Sequence, residues 1–273
     1  MAALTARAYA LKIVTSEVLD DKLDPPPAAI ELADTSEPLR VAAPGRPANL
    51  AIASARTAKV PPLAGMRDPA QRARILHALA NHELQAVELF AWALLAYPDA
   101  PIAFRRGLVA ILVDEQRHFN LYCERLAAVT PGGTKFGDHP VTGHFWNKLD
   151  HLATPLDFVC AMGLTFENAN LDFAGDYARA ARECGDTATA AVLEQVHADE
   201  IGHVHFGWIW LRRFAADMDP WQAYLAHVKF PLGPKRARGA RFDREARKRA
   251  GFDDAFIDAL EATVPTRPSG EPR

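Results

Sequence analysis

Two stretches of this sequence place a histidine three residues after a glutamate: Glu115-x-x-His118 and Glu200-x-x-His203. On a helix that spacing puts carboxylate and imidazole on one face, a turn apart. A further glutamate precedes each pair, Glu83 by 32 residues before Glu115 and Glu167 by 33 before Glu200. The copies agree in more than these positions. Asp114 and Asp199 stand immediately before the paired glutamates, and Glu88 and Asp172 follow the upstream glutamates by five. One Glu-x-x-His is a weak signal, but two with the same upstream partner form an internal repeat.

The surroundings of these residues decide what they can do. One turn from Glu83 lie Leu79 and Val87; from Glu115, Ile111 and Phe119; from Glu167, Leu164 and Leu171; from Glu200, Val196 and Val204. Each glutamate thus sits on the apolar stripe of a helix. Burying carboxylates without compensation costs several kcal/mol per ion. The histidines at matching depth are His118 and His203. One Glu from each of two helices and Glu-x-x-His from each of two more is the ligand set of a two-metal site in a helical bundle. Two divalent ions offset the four negative charges.

Helices must position that set. Asp68-Pro69 is a helix start, an N-cap followed by proline at the first helical position. The first helix runs to about Ala96, and the second from about Pro101 to Val129, before Pro131. Thr154 and Asp157 bracket Pro155 in a capping-box pattern that opens a third helix, ending near Gly185. The fourth begins at Asp186 and ends near Asp217. Short connections make the first and second helices one antiparallel hairpin and the third and fourth another. Residues 130–153 are long enough to cross from one end of a bundle to the other. The expected fold is all-α, the ferritin-like form of a four-helix bundle, with two hairpins joined by a long crossover. The midpoint of Glu83 and Glu115 falls at residue 99 and that of Glu167 and Glu200 at residues 183–184. Each midpoint lies at its hairpin's turn, so partners sit side by side near mid-bundle.

Residues 1–66 read as an N-terminal helix and a proline-rich wrapping segment, 67–217 as the bundle, and 218–273 as a C-terminal extension. That extension carries eight Lys/Arg against two acidic residues between Lys235 and Arg249, then a short helix at Asp253–Ala262 and ten residues with a disordered composition. A net charge of −3 exerts no global pull on nucleic acid or membrane. Cys123, Cys160 and Cys184 form no metal-binding spacing and read as buried thiols in a reducing cytoplasm. The first residues lack the apolar core of a signal peptide, and no uncharged apolar run is long enough to span a membrane.

With Asp114–His118 reading Asp-Glu-Gln-Arg-His, the chain resembles the ferritin-like di-iron carboxylate proteins, several of whose oxygenase families carry Asp-Glu-x-Arg-His. Over residues 68–216 the match is to that superfamily. With the Phe136–His151 crossover and the basic tail included, it more closely resembles a bacterial family of ferritin-like proteins of unknown function. That family is related in fold to the di-iron hydroxylase of a thiomethylated isopentenyl-adenosine in tRNA. The resemblance implies that Glu83, Glu115, His118, Glu167, Glu200 and His203 are iron ligands. It also implies that Asp114 and Asp199 accept from, and so orient, the histidine of the opposite helix. Arg117 has no counterpart, because Gly202 stands in its place.

Other residues near the pattern carry competing readings. His197 is one turn before Glu200, within reach of the site as a ligand or as a hydrogen-bonded core residue. Tyr122, one turn after His118, is open to a radical, hydrogen-bonding or packing role. His82 and His205 point away from their ligand neighbours. Glu88 and Asp172 lie far round the helix from Glu83 and Glu167, facing other helices or solvent.

Histidine and carboxylate ligands suit iron that reacts with dioxygen. The expected activity is therefore a non-haem di-iron oxidoreductase, an oxygenase or oxidase acting on a small organic substrate with an electron donor. An Fe/Fe pair is expected, and Mn/Fe shares the same ligands. One alternative is iron handling or peroxide reduction, although the long extensions argue for a monomer or dimer over a cage. The chain also lacks the CxxC pairs of a rubredoxin centre. The other alternative is a tRNA-modifying hydroxylase, for which the basic tail is the supporting feature.

Overall fold

The computed structural model describes residues 4–54, 56–130 and 132–265, and the chain is predominantly helical with almost no strand. Pro131 and most of the ten-residue tail expected to be disordered lie outside the described residues. Among the described residues, no helix is long and apolar enough to cross a membrane.

The chain divides into two compact units, and the division does not follow extension, bundle, extension. Unit 1 comprises residues 1–60 and 68–149, and unit 2 comprises 61–67 and 150–273. Each unit contains one long hairpin together with the extension that packs on it.

In unit 1 the hairpin is α3 (Pro69–Ala96) and α4 (Ile102–Ala128). Asp68 caps α3 by accepting from the Gln71 amide at 2.8 Å, as the Asp-Pro start predicts. The turn is held by Arg105, fully buried, whose guanidinium donates to the carbonyls of Leu94, Tyr97 and Leu32. The N-terminal chain forms α1 (Ala6–Thr15) and α2 (Leu19–Leu23). It is tied to α4 through Gln116, whose amide donates to the Tyr9 hydroxyl and the Lys22 and Asp24 carbonyls. A two-residue parallel pairing joins β1 (Ile52–Ala53) to β2 (Val141–Thr142) in the crossover.

In unit 2, α5 (Pro155–Phe158) opens with the expected capping box, Thr154 and Asp157 each accepting from the other's backbone amide. The expected uniform helix does not continue. Val159–Glu167 winds as a π-helix before α6 (Asn168–Glu183) resumes the α-helical pitch. Two contacts fit the wider winding. The Thr165 hydroxyl donates to the Cys160 carbonyl five residues back. Gly163 also meets Gly207 so closely that a Cβ on it would lie 3.0 Å from the Gly207 Cα. The next helix, α7 (Thr187–Phe214), follows Gly185, whose φ of 82° suits a residue without a side chain, and is capped by Asp186. The C-terminal extension folds as α8 (Pro220–His227), α9 (Arg244–Arg249) and α10 (Asp254–Glu261). Trp208 of α7 packs against Phe252 and Phe256 of that extension.

Candidate metal centre

Each unit draws its three predicted ligands together. In unit 1, α3 supplies Glu83 and α4 supplies Glu115 and His118, with one donor atom of each within 4.8 Å of the others. The His118 Nδ1 lies 3.3 Å from the Glu115 Oε2. In unit 2, Glu167 stands at the last position of the π-helix and α7 supplies Glu200 and His203, again within 4.8 Å. There the Nδ1 to Oε2 distance is 2.9 Å. All six residues are buried, Glu115, His118 and Glu200 completely.

The donor set fits a metal ion. Donor atoms about 2.1 Å from one ion stand roughly 3.0 Å apart at the edge of an octahedron and roughly 3.4 Å apart at that of a tetrahedron. The two His–Glu separations match these edges. Two atoms across an ion lie about 4.2 Å apart, so the looser 4.8 Å limit closes with side-chain shifts of a few tenths of an ångström. A divalent ion there would be held through Nδ1 and the carboxylate oxygens, with the ring hydrogen on Nε2. The buried Glu/His groups can therefore hold a metal ion.

A residue the repeat does not predict supports the second triad. Asn170, one turn after Glu167, donates its side-chain amide to the Glu200 Oε1 at 3.0 Å. This fixes the carboxylate while Oε2 faces His203. The corresponding position in the first hairpin is Ala86. A polar residue one turn from a ligand on the same helix was the available signal.

Asp114, on the exposed side of α4, accepts from Arg117 at 3.0 Å, giving that arginine a pairing role. Asp199 accepts from Gln195 on α7. Tyr122 is fully buried on α4. His197 is placed differently from the reading that brings it to the metal: its Nε2 lies 3.4 Å from the Asp243 carboxylate at the start of α9. As expected, His82 and His205 belong to neither triad. His82 packs beside Phe145, and the His205 Nδ1 donates to the Ala250 carbonyl.

Glu88 and Asp172 face neither solvent nor the ligands, because each is the buried anchor of an extension. The Glu88 carboxylate receives Arg46 at 2.7 Å and 3.0 Å and the Trp146 indole at 2.8 Å, with the Lys22 ammonium 3.3 Å away. Burial pulls the Lys22 pKa down, against the opposing pull of Glu88. Asp172 receives Arg247 bidentately, with both side chains fully buried, and the Gly239 and Asp243 amides as well. The basic segment, the feature supporting the RNA-directed reading, spends much of its charge internally. Besides Arg247, Arg244 pairs with Asp254, Asp258 and Glu261, and Arg238 donates to the Glu261 and Thr263 carbonyls.

The thiols take no part in either triad. Cys160 is buried as expected, whereas Cys123 and Cys184 are partly accessible. Burial pushes Cys123 up to about 12 and Cys160 higher still, so both remain protonated and poor metal ligands.

Residues 3–258 match the sequence model of a family described as "Protein of unknown function (DUF455)". No curated protein and no solved structure matches the chain.

Proposed function

The chain belongs to this DUF455 family, and we propose that it is a non-haem di-iron carboxylate oxidoreductase of ferritin-like organisation. Each of its two triads would hold one of the two metal ions. The supporting observation is that one buried Glu plus Glu-x-x-His triad is built twice, from the two copies of the repeat. Each triad brings two carboxylates and one imidazole out of water. That composition suits a divalent first-row ion with room for an exogenous ligand, and iron is the assignment we favour, with Mn/Fe as the variant sharing the same ligands. A pair of iron ions held there supplies redox chemistry with dioxygen, turned on a small organic substrate with electrons from a donor.

The chain's own residues have definable tasks in that scheme. Glu115 and Glu200 stand beside the Nδ1 atoms of His118 and His203, and with metal on Nδ1 each Nε2 would carry the ring hydrogen. Asn170 keeps Glu200 from turning. The π-helix fits the same scheme, since such segments recur at functional sites and this one ends on a ligand. Fully buried Leu164, Leu171, Val196 and Val204 lie a turn from the ligands and keep the second triad dry, which strengthens its electrostatics. The RNA-directed alternative has less support, because Arg238, Arg244 and Arg247 are engaged within unit 2.

The test is anaerobic titration of metal-free protein with ferrous iron, followed by oxygen. Saturation at two irons per chain and a new near-ultraviolet or visible absorption on oxidation are expected. Failure to bind iron, or binding without any oxygen-dependent spectral change, removes the proposal.

A further inference from the structure

We infer that unit 1 carries a second site, independent of the metal centre, that binds a small molecule through a carboxylate or phosphate group. The site is a cavity of about 280 Å³ lined by the 57–60 segment, by α3 near its start, and by His139 and Pro140 of the crossover. That volume is close to the lower end of the ~300–1,000 Å³ typical of small-molecule pockets.

The lining carries two cationic side chains and two imidazoles. It includes Lys59, Arg74, His77 and His139, and it contains no Asp or Glu. The Arg74 Nη2 donates to the Lys59 carbonyl at 2.7 Å, which draws the 57–60 segment onto α3. The other N–H groups of that guanidinium have no acceptor among the described residues. A guanidinium presents its donors in the planar fork that matches carboxylate and phosphate oxygens. The nearest acidic side chain in sequence, Asp138, accepts from the Lys135 amide through its Oδ2 at 2.7 Å, and its charge reaches His77.

His77 gives the cavity an oriented donor. The residue is 2% exposed, yet it lines the cavity. Its Nε2 accepts from the Gly137 amide at 3.0 Å, so its hydrogen sits on Nδ1. Burial, reinforced by the neighbouring His139, lowers its pKa to about 4, which keeps the ring neutral and fixes that tautomer at neutral pH. Among the described residues Nδ1 has no acceptor. The Nδ1 donor is reachable from the cavity, and an anionic oxygen there would accept from it. Phe136 stacks on one face of the ring at 4.9 Å and His139 meets it edge-on at 5.2 Å, so the ring is held in place. An oriented donor facing a cavity that Lys59 and Arg74 also line is a recognition arrangement for an oxyanion.

The experiment is calorimetric titration of the full chain at constant ionic strength, with inorganic phosphate and succinate as separate probes. The wild type is compared with Arg74→Met and with Arg244→Gln, a surface control in unit 2. Saturable binding of at least one probe is expected, weakened tenfold or more by Arg74→Met and unchanged by Arg244→Gln. The arm that saturates more tightly identifies the group. A shift of the His77 Nδ1 proton resonance on addition of that probe would place the oxyanion at the buried donor. No saturable binding of either probe, equal binding by Arg74→Met, or an unmoved His77 resonance overturns the inference.

Discussion

Replacing Arg247 by Met removes the cation from a carboxylate that has no access to water. Asp172 and Arg247 are both fully buried, with two parallel N–H to oxygen contacts of 2.8 Å and 2.9 Å between them. Met supplies a similar apolar stem but leaves Asp172 with only the Gly239 and Asp243 amides as donors. It also leaves the Asn168 and Ala237 carbonyls without the guanidinium. Breaking a buried pair from one side costs about 3–5 kcal/mol, against about 0.2–1 kcal/mol for an exposed one. At roughly 2–4 °C per kcal/mol for a chain of this size, the melting temperature should fall by roughly 6–20 °C. Urea unfolding followed by tryptophan fluorescence is the suitable assay, because Trp208 packs against Phe252 and Phe256 of the extension that Arg247 anchors. The double variant Asp172→Asn with Arg247→Met should recover part of the loss, since it no longer buries an unpaired charge. A loss below about 1 kcal/mol, or a double variant no more stable than Arg247→Met alone, would refute the anchoring role.

Three further outcomes follow from the same geometry. Asn170→Ala frees the Glu200 Oε1 and should weaken metal binding at the second triad about tenfold, in line with losses seen when ligand-supporting hydrogen bonds are removed; unchanged metal affinity would contradict the role. Gly163→Ala places a Cβ 3.0 Å from the Gly207 Cα and should cost about 1–3 kcal/mol through overpacking; an unmoved urea midpoint would show that the approach is looser than described. Burial holds His77 and His82 at about 4 against an ordinary 6.5. Between those values the unfolded chain binds protons that the folded chain does not, so stability present above pH 6.5 is lost as pH falls towards 4. His77→Gln should make that decline shallower in urea midpoints taken from pH 7 to 4, and an identical decline would argue against a neutral buried ring.

Helix limits were legible because they are written in local chemistry. Asp68-Pro69, the Thr154/Asp157 box and Gly185 each act within a few residues of themselves, and each performs as its type predicts. The ligand triads were legible because one-turn spacing fixes a face and equal distance from a turn fixes a level. The π-helix was not, because Val159–Phe166 is uncharged along its length and an all-round apolar run has no periodicity that separates π from α winding. Helical geometry excluded Glu88 and Asp172 from the ligand set but could not name their partners. Arg46 is 42 residues from Glu88, and Arg247 is 75 from Asp172. His197 stayed open between ligand and core residue for the same reason: its partner, Asp243, comes from the distant start of α9. The partners of the basic segment were not legible because composition reports charge, whereas a buried carboxylate elsewhere decides where a cation settles.

The most direct test of the central claim is anomalous diffraction at the iron and manganese edges from crystals of protein loaded with ferrous iron without oxygen. The account predicts two iron peaks per chain, one on Glu83, Glu115 and His118 and the other on Glu167, Glu200 and His203. In crystals of protein taken from cells, a manganese-edge peak at one of these positions would distinguish the mixed pair. Fully loaded crystals with no peak at either triad, or with iron at only one of them, would contradict it.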